Sequence, residues 1–243
     1  ISGLLENVTF NINRKNSDIK LFEFGKIYSK INNQYLETRQ LGIVLSGNIA
    51  TESWTKNNRK VTFFDLKGIV NQIFTRLNIT IDTETPTEDK NLSDGITLFS
   101  GKTNVGYLGI VDKKLAKKLD FSQEVFYAQL NWDEILKLAE NKKLVYKEIS
   151  KFPGSRRDLA LLIDQSVKYE DLYKTAFGTK NDLLKAVNLF DVYEGENLPA
   201  GKKSYALSFM IQDENKTLND QEIDQFMNKL INLYQEKFGA SLR

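Results

Sequence analysis

The 243-residue chain contains no cysteine and no histidine, and only three prolines. Without cysteine, a disulfide, a thiolate nucleophile and a thiolate-bound zinc ion are excluded. Without histidine, a Ser-His-Asp triad, an imidazole base and an imidazole-bound metal are excluded as well. Any catalysis by this chain would therefore depend on carboxylate, Lys, Arg, Tyr or hydroxyl groups, and the composition favours a binding protein over an enzyme.

Charge of one sign and long apolar runs are also scarce. The chain carries 34 Lys+Arg against 32 Asp+Glu, and this net charge of +2 predicts neither a broad nucleic-acid surface nor a membrane surface. No apolar run approaches the roughly 20 residues that span a bilayer. The sequence starts at Ile1 rather than Met. We interpret it as a piece of a longer, cytoplasmic protein that does not bind membranes.

The residues that are present suffice for a folded core, since 41% are hydrophobic and 27% are charged. A Pro-Gly pair at Pro153 separates two regularly patterned regions. We therefore predict an α+β chain of two domains, residues 1–149 and 150–243. In the first domain, residue spacing predicts both strands and amphipathic helices. These are strands over 19–28, 40–46 and 124–130, a hairpin over 95–111, and helices over 64–77, 113–119 and 132–139.

The second domain has a clearer pattern. Strands are predicted over 156–164, 182–193 and 202–212, helices over 168–177 and 219–238, and a short last strand over 240–243. Asn219 or Asp220 is placed to cap the long helix, and Gly239 to end it. The order βαββαβ predicts a ferredoxin-like sandwich, in which two helices cover one face of a sheet and the other face is open.

Side-chain alternation predicts which residues lie on the open face. Along 203–211, large apolar residues such as Tyr205 alternate with small ones such as Ser204, so the large ones should face the helices. On the neighbouring strand, Phe190 and Val192 are expected to point inward. Acceptors, donors and cations on the open face suit an unpaired base and its phosphates, although an ordinary solvated face accounts for the same pattern. The candidate RNA-binding residues are Asp191, Tyr193, Ser204, Arg156, Arg157, Lys202, Lys203 and Arg243.

Five sequence blocks carry a resemblance to a known family. They are FPGSRRDLA at 152–160, FDVYEG at 190–195, LP with GKKSYA within 198–206, TLND at 217–220 and GASLR at 239–243. In this order they resemble the ferredoxin-fold anticodon-binding domain of phenylalanyl-tRNA synthetases. Within the first block, we interpret Arg157 and Asp158 as an internal ion pair that tethers the strand.

The first domain resembles the corresponding part of the bacterial beta subunit of that family. The matching segments are Leu4-Leu5, LFEFGKIY at 21–28, Trp54 with DLKG at 65–68, and GYLG at 106–109. The resemblance implies a class II synthetase-like antiparallel-sheet domain that does not activate the amino acid. Phe22-Glu23 stands where a class II motif would place Arg-x-Glu, and no Arg follows the glycines between 101 and 109. We interpret these glycines as turn and strand-packing residues, and Glu23 with Lys26 as a structural pair.

The resemblance implies a non-catalytic, C-terminal part of the beta subunit that binds the anticodon of tRNA(Phe). It also implies packing against the catalytic alpha subunit, in an assembly of two alpha and two beta subunits. ATP and Mg²⁺ are expected for the complete ligase, whereas no catalytic residue, metal ligand or cofactor is assigned to this chain. Asp191 and Ser204 would contact a guanine at the first anticodon position, Tyr193 would stack on a base, and the cations would position phosphates.

Two other functions stay open at this point. One is a fragment of a single-chain class II synthetase, against which the missing motif arginines argue. The other is an RRM-like module for single-stranded RNA, because that fold has the same βαββαβ order. An RRM would place Tyr205 on the open face for stacking, so the position of this ring separates the two interpretations of the second domain.

Overall fold

The computed structural model describes residues 2–31, 33–55, 58–140, 142, 146, 148–179 and 182–243. The chain divides into two compact units, residues 1–145 and 146–243. Each unit combines helices with one antiparallel sheet, which confirms the predicted α+β class. No helix in the described ranges has the length and apolar character needed to cross a bilayer.

The first unit contains six strands and four helices within its described residues. In chain order they are α1 (Ser2–Ile12), β1 (Ile19–Ile31), β2 (Gln34–Ser46), α2 (Phe63–Arg76), β3 (Thr83–Pro86), β4 (Leu92–Ser100), β5 (Thr103–Val111), α3 (Lys113–Lys118), β6 (Val125–Asn131) and α4 (Trp132–Glu140). All pairings are antiparallel, in the order β1-β2-β6-β5-β4-β3. The sequence analysis did not predict α1 or β3, and it predicted shorter β1 and β2 strands.

Helices cover both faces of this sheet. Leu66, Val70 and Phe74 of α2 and Ile135 of α4 pack on one face. Helix α1 packs on the other face, where Gly42 leaves room for it. A Cβ atom at Gly42 would lie 2.5 Å from a methyl carbon of Leu4, so a larger residue there would force the Leu4 side chain to move.

The glycines between 101 and 109 serve turn and strand packing, as the sequence analysis interpreted them. Gly101 has a φ of +59° in the tight turn between β4 and β5. A Cβ atom at Gly106 would lie 2.3 Å from the Gln129 carbonyl oxygen on the neighbouring strand, and its φ of +142° also favours glycine. These residues therefore let β5 lie close to its neighbours.

Asp65 fixes the start of α2. Its carboxylate accepts hydrogen bonds of 2.7 Å from both terminal nitrogens of Arg59, and of 2.8 Å from the backbone N–H and the hydroxyl of Thr62. The Arg59 guanidinium, together with Thr62, holds the pKa of Asp65 well below its usual value. The carboxylate also lies in the first helical turn, where negative charge is favourable.

Asp65→Asn is expected to lower the free energy of unfolding by about 1 kcal/mol at neutral pH, because the helix start loses an ionised acceptor. The pKa of Asp65 is lower in the folded state than in the unfolded state. Its contribution is therefore complete above the pKa of the unfolded state, ~3.9, and is lost progressively as the pH falls below that value. Urea unfolding at neutral pH and at about pH 3 should thus show a gap between variant and parent that narrows in acid. An equal midpoint at neutral pH would contradict this role, and the exposed Glu52→Gln is the control.

The second unit has the predicted βαββαβ order. Its elements are β7 (Ser155–Asp164), α5 (Tyr169–Phe177), β8 (Leu184–Tyr193), β9 (Lys202–Ile211), α6 (Asp220–Phe238) and β10 (Ser241–Leu242). The antiparallel sheet has the order β10-β7-β9-β8. The Asn219 side chain accepts a 2.9 Å bond from the Glu222 N–H, and Gly239 ends α6 with a φ of +59°. Both helix-end predictions are confirmed.

The inner face of this sheet follows the predicted alternation on β9. Leu207, Phe209 and Ile211 are buried with helix residues such as Leu230. Tyr205 is only 8% exposed and belongs to the same core. Its position is the opposite of what an RRM stacking residue requires, and it argues against that alternative.

The alternation fails at one place on β8, where the prediction that Phe190 points inward is wrong. Leu189 pairs with Leu207, but the next pair joins Asp191 to Ala206, so Phe190 is an extra residue in a β-bulge. Phe190 is 49% exposed instead of buried. Val192 keeps the register of Tyr205 but is 47% exposed near the strand end. A bulge of this kind redirects a side chain and resets the faces beyond it.

Candidate nucleic-acid interface

The open face of the second sheet has a floor of small side chains beside Asp191. Asp191 on β8 pairs with Ala206 on β9, which pairs with Ala160 on β7. Asp191 is exposed, and its carboxylate has no hydrogen-bond or ion-pair partner among the described residues. This row therefore offers an uncompensated acceptor next to a shallow surface on which a flat ring fits.

Tyr193 and Arg243 reach towards each other across this face. The backbone N–H of Arg243 donates to the Ala160 carbonyl, which ties the residue to the β7 side of the sheet. Tyr193 lies on β8, two strands away, yet the Arg243 guanidinium carbon is 4.7 Å from its ring centre. Both side chains must therefore lie across the sheet, and one face of the ring is in contact with a cation.

This crossing accounts for the position of Ser204. Ser204 pairs with Tyr193 and shares the open face by register, as predicted. It is nevertheless only 4% exposed. Its hydroxyl can contact a base only if the side chains above it move, so the structure gives Ser204 a weaker place in the candidate site than Asp191.

A second arginine–aromatic pair lies at the other end of the face. The Arg156 guanidinium carbon is 5.4 Å from the Phe190 ring centre, although β9 separates their strands. Arg156 also donates to both carboxylate oxygens of Asp158, at 2.8 and 3.2 Å. The predicted Arg157–Asp158 pair is wrong, because neighbouring residues of a strand point to opposite faces whereas Arg156 and Asp158 share one.

The sequence analysis did not select Phe190 as a site residue. Its exposure follows from the bulge between Leu189 and Asp191. Alternation counted back from Tyr193 predicts burial for this position, whereas alternation counted forward from Val187 and Leu189 predicts exposure. This disagreement is the signal of a bulge that the sequence offers, since no glycine or proline lies next to Phe190.

Two of the predicted phosphate-binding cations lie on the helix side of the sheet. Arg157 pairs with Phe209 and donates a 2.7 Å bond to Asp220 at the start of α6. Lys203 is 7% exposed, and its ammonium group donates to the Gln165 carbonyl at 2.9 Å. We therefore withdraw Arg157 and Lys203 from the phosphate-contact set, because their charges are engaged away from the open face.

Lys202 differs from its neighbour. By register it pairs with Asp164 and has the parity of Ser204 on the open side. It contributes to lowering the pKa of Asp164, although the main cause there is hydrogen bonding from Ser166. Lys202, Arg156 and Arg243 are thus the predicted cations that remain on the open side.

The first unit has a cavity of about 220 Å³ on the sheet face under α1. Glu23 lines it together with Tyr127 and Gln129. Tyr127 donates to the Gln129 side-chain oxygen at 2.9 Å, and burial raises the pKa of the Tyr127 hydroxyl. No arginine lines this cavity, and no cluster of three or more carboxylate, His or Cys ligands for a metal occurs in the described part of the chain.

The predicted Glu23–Lys26 pair is wrong. The Lys26 ammonium lies 2.5 Å from Glu37 on β2, and a hydrogen bond from Lys26 to Glu37 lowers the pKa of that carboxyl. Lys26 and Glu37 lie on the same face of the β1–β2 hairpin, because Lys26 pairs with Arg39 and Glu37 with Tyr28. Glu23 has the opposite parity on β1, so it lies on the other face.

Strands β1 and β2 extend beyond the rest of the sheet as a two-stranded arm. β6 pairs with β2 only from Gln40 onward, so residues 34–39 of β2 pair with β1 alone. Four aromatic residues on one face of the β1–β2 hairpin are each more than half exposed, two on the arm and two at its base, and we call this surface the aromatic face of the arm. They are Phe22, Phe24, Tyr28 and Tyr35.

The aromatic face of the arm is held in place at its base. The Phe24 ring contacts Trp132 of α4 edge-on, with ring centres 4.9 Å apart. Beside it, Arg39 donates to Asp133 through its backbone N–H and Nε, at 2.7 and 2.6 Å. These contacts fix the arm against α4 and leave the outer rings in solvent.

Comparison with known proteins identifies the class of each part. Residues 1–132 match the family model described as the phenylalanyl tRNA synthetase beta chain CLM domain. Residues 150–243 match the ferredoxin-fold anticodon binding domain. The fold and the matches define a synthetase-type module joined to an anticodon-binding domain.

The chain belongs to the phenylalanyl-tRNA synthetase beta chain family. Relatives named phenylalanine–tRNA ligase beta subunit include those of Bacteroides fragilis (strain YCH46), at 44% identity, and of Porphyromonas gingivalis, at 37%; each match covers 99% of this chain. The chain spans 31% of the length of these relatives. Pyrrolysyl-tRNA synthetase from Desulfitobacterium hafniense has a TM-score of 0.43 at 14% identity over 57% of this chain and 47% of its own, a likeness too weak to carry an argument.

Lys203→Met is expected to lower the free energy of unfolding by about 1 kcal/mol, because the Gln165 carbonyl loses a charged donor while the apolar stem is kept. Lys202→Met is the matched control, since the adjacent residue lies on the other side of the sheet. Its change should stay within about 0.5 kcal/mol. Urea unfolding of both variants measures the difference, and identical midpoints would contradict the structural role of Lys203.

Proposed function

We propose that the second unit binds the anticodon loop of tRNA(Phe) through the open sheet face. The observation that carries this proposal is the exposed carboxylate of Asp191, which has no partner among the described residues and lies beside the Ala206–Ala160 floor and the Tyr193 ring. The match to an anticodon-binding domain supports it. The chain is then a non-catalytic, C-terminal part of a phenylalanine–tRNA ligase beta subunit.

A guanine at the first anticodon position suits this arrangement. The base offers two adjacent donors, N1–H and the N2 amino group, to a single carboxylate, and Asp191 accepts without competition from another protein donor. Its flat ring lies over the small Ala206 side chain, while Tyr193 provides a stacking surface. Arg243 and Lys202 then position the phosphates on either side of the base.

Asp191→Asn is expected to weaken binding to an anticodon stem-loop with guanine at the first position by about 10- to 100-fold, because an amide cannot accept two donors as a carboxylate does. A stem-loop with adenine at that position should bind parent and variant alike. Fluorescence titration of this chain with both RNAs measures the effect.

Asp164→Asn provides the control for Asp191, because it removes the same charge from an exposed position at the end of β7. It should leave the discrimination between guanine and adenine unchanged. Equal losses for both RNAs with Asp191→Asn would remove Asp191 from base recognition.

We propose that the aromatic face of the arm binds the catalytic alpha subunit. Exposed aromatic groups that share one face are typical of protein interfaces, and solvent does not favour leaving them uncovered. The relatives are named beta subunits, which favours another subunit of the ligase over a second copy of this chain. We propose an assembly of two alpha and two beta subunits, as the family resemblance implies.

Tyr28→Ser combined with Tyr35→Ser is expected to weaken binding to the matching alpha subunit by at least about 10-fold, since truncating buried interface aromatics commonly costs more than 1 kcal/mol each. Ile27→Ser with Leu36→Ser is the matched control, because these exposed apolar residues lie on the opposite face of the arm. Sedimentation velocity of mixtures measures the affinity. A larger loss of affinity from the control pair than from the tyrosine pair would place the interface on the opposite face of the arm and contradict the proposal.

We propose that ATP and Mg²⁺ serve the complete ligase and bind outside this chain. The cavity under α1 does not fit Mg²⁺·ATP, because among the described residues its single cation, Lys26, pairs with Glu37, and Glu23 is its single carboxylate. The chain therefore contributes RNA and subunit binding to aminoacylation, in the cytoplasm, and the chemistry belongs to the alpha subunit.

A further inference from the structure

We infer that Phe190, with Arg156 behind it, forms a second base-stacking site on the open face. The site would bind an unpaired nucleobase that flanks the one facing Asp191. The inference rests on the proposed anticodon binding, and it adds a position that neither the sequence analysis nor the family comparisons assign.

The first observation is the exposure of the ring. Leu189 pairs with Leu207 on the helix side, so Phe190, the unpaired residue of the bulge that follows it, lies on the open side, where it approaches Arg156. Half of this residue is in solvent. The exposed half of the ring presents an apolar flat surface on which a nucleobase can stack.

The second observation is the fixed position of the ring. Arg156 lies on β7 and Phe190 on β8, so their 5.4 Å approach requires both side chains to lie across β9. Asp158 holds the guanidinium by two hydrogen bonds. A stacking surface with this support loses little side-chain entropy when a base binds.

The third observation is the charge of the cluster. The ion pair with Asp158 compensates Arg156, so the cluster has little net attraction for a phosphate. The planar guanidinium and the Phe190 ring remain available as flat surfaces. This chemistry selects a nucleobase over a phosphate, which changes the predicted role of Arg156 from positioning phosphates to supporting the ring.

The spacing then separates the two stacking sites. Phe190 and Tyr193 are three residues apart on β8, a separation of at most about 10 Å along the strand, since the bulge at Phe190 shortens it. Each ring also has its own arginine, Arg156 beside Phe190 and Arg243 beside Tyr193. The open face therefore offers two stacking rings for two bases, with Asp191 between them in the sequence.

The test uses Phe190→Leu, which keeps apolar bulk and removes the aromatic face. Anticodon stem-loops of tRNA(Phe) are prepared intact and with an abasic site at each of the two positions that flank the first anticodon base. Affinities for this chain are measured at about 50 mM salt, where phosphate contacts strengthen binding. Val192→Ala is the matched control, because Val192 is similarly exposed but, beyond the bulge, pairs with Tyr205 on the helix side of the sheet.

We expect Phe190→Leu to weaken the intact loop by about 5- to 100-fold, the range for loss of one base–aromatic stack. One of the two abasic loops should bind parent and variant equally, because its missing base is the one that stacks. Phe190→Trp should retain the affinity of the parent, and Val192→Ala should behave like the parent with every RNA.

Equal losses on the intact loop and on both abasic loops would overturn the second site. So would an unchanged affinity for the intact loop, which would assign the exposed ring to a protein partner instead. If Asp191→Asn still weakens the guanine loop and leaves the adenine loop unchanged in either case, the proposed anticodon binding stands and only the Phe190 site fails. If no stem-loop binds at this salt concentration, both proposals fail together.

Discussion

The arrangement of the second unit depends on the alternation of large and small side chains along the central strand β9. Tyr205, Leu207 and Phe209 fill the core below the sheet, and Ala206 and Ser208 leave a low surface above it. Only a low surface permits long side chains from the outer strands to cross the sheet. The two arginine–aromatic pairs, and the slot between them, therefore exist because β9 is small on its upper side.

Alternation was also the strongest guide to this unit from its sequence, and it failed where a local feature overrides it. The order of the elements, the Asn219 cap and the buried Tyr205 followed from spacing and residue type. The bulge at Phe190 did not, because one inserted residue depends on the pairing with β9 and leaves no mark in composition. Lys203 has the parity of Tyr205, so the helix side was already indicated for it.

The choice of ion-pair partners could not be predicted either, because it too depends on which strands and helices pack together. Arg157 bonds to Asp220, and Lys26 to Glu37, across segments whose register is set by tertiary packing. Sequence neighbours on a strand point apart, so adjacent opposite charges are poor candidates for pairing. In the first unit, α1 was missed because its few apolar residues become a buried stripe only against the sheet, at Gly42.

Ion pairs and hydrogen bonds within the second unit engage several of its cations, in line with the near-zero net charge of the chain. Arg156 is compensated by Asp158, Arg157 by Asp220, and Lys203 is buried against a carbonyl. Few of the predicted cations are thus free to neutralise phosphates, so in the proposed anticodon binding counterion release would supply little of the affinity. That binding would instead depend on stacking, on the shape of the floor and on one carboxylate, contacts that distinguish bases where a basic surface would bind any RNA.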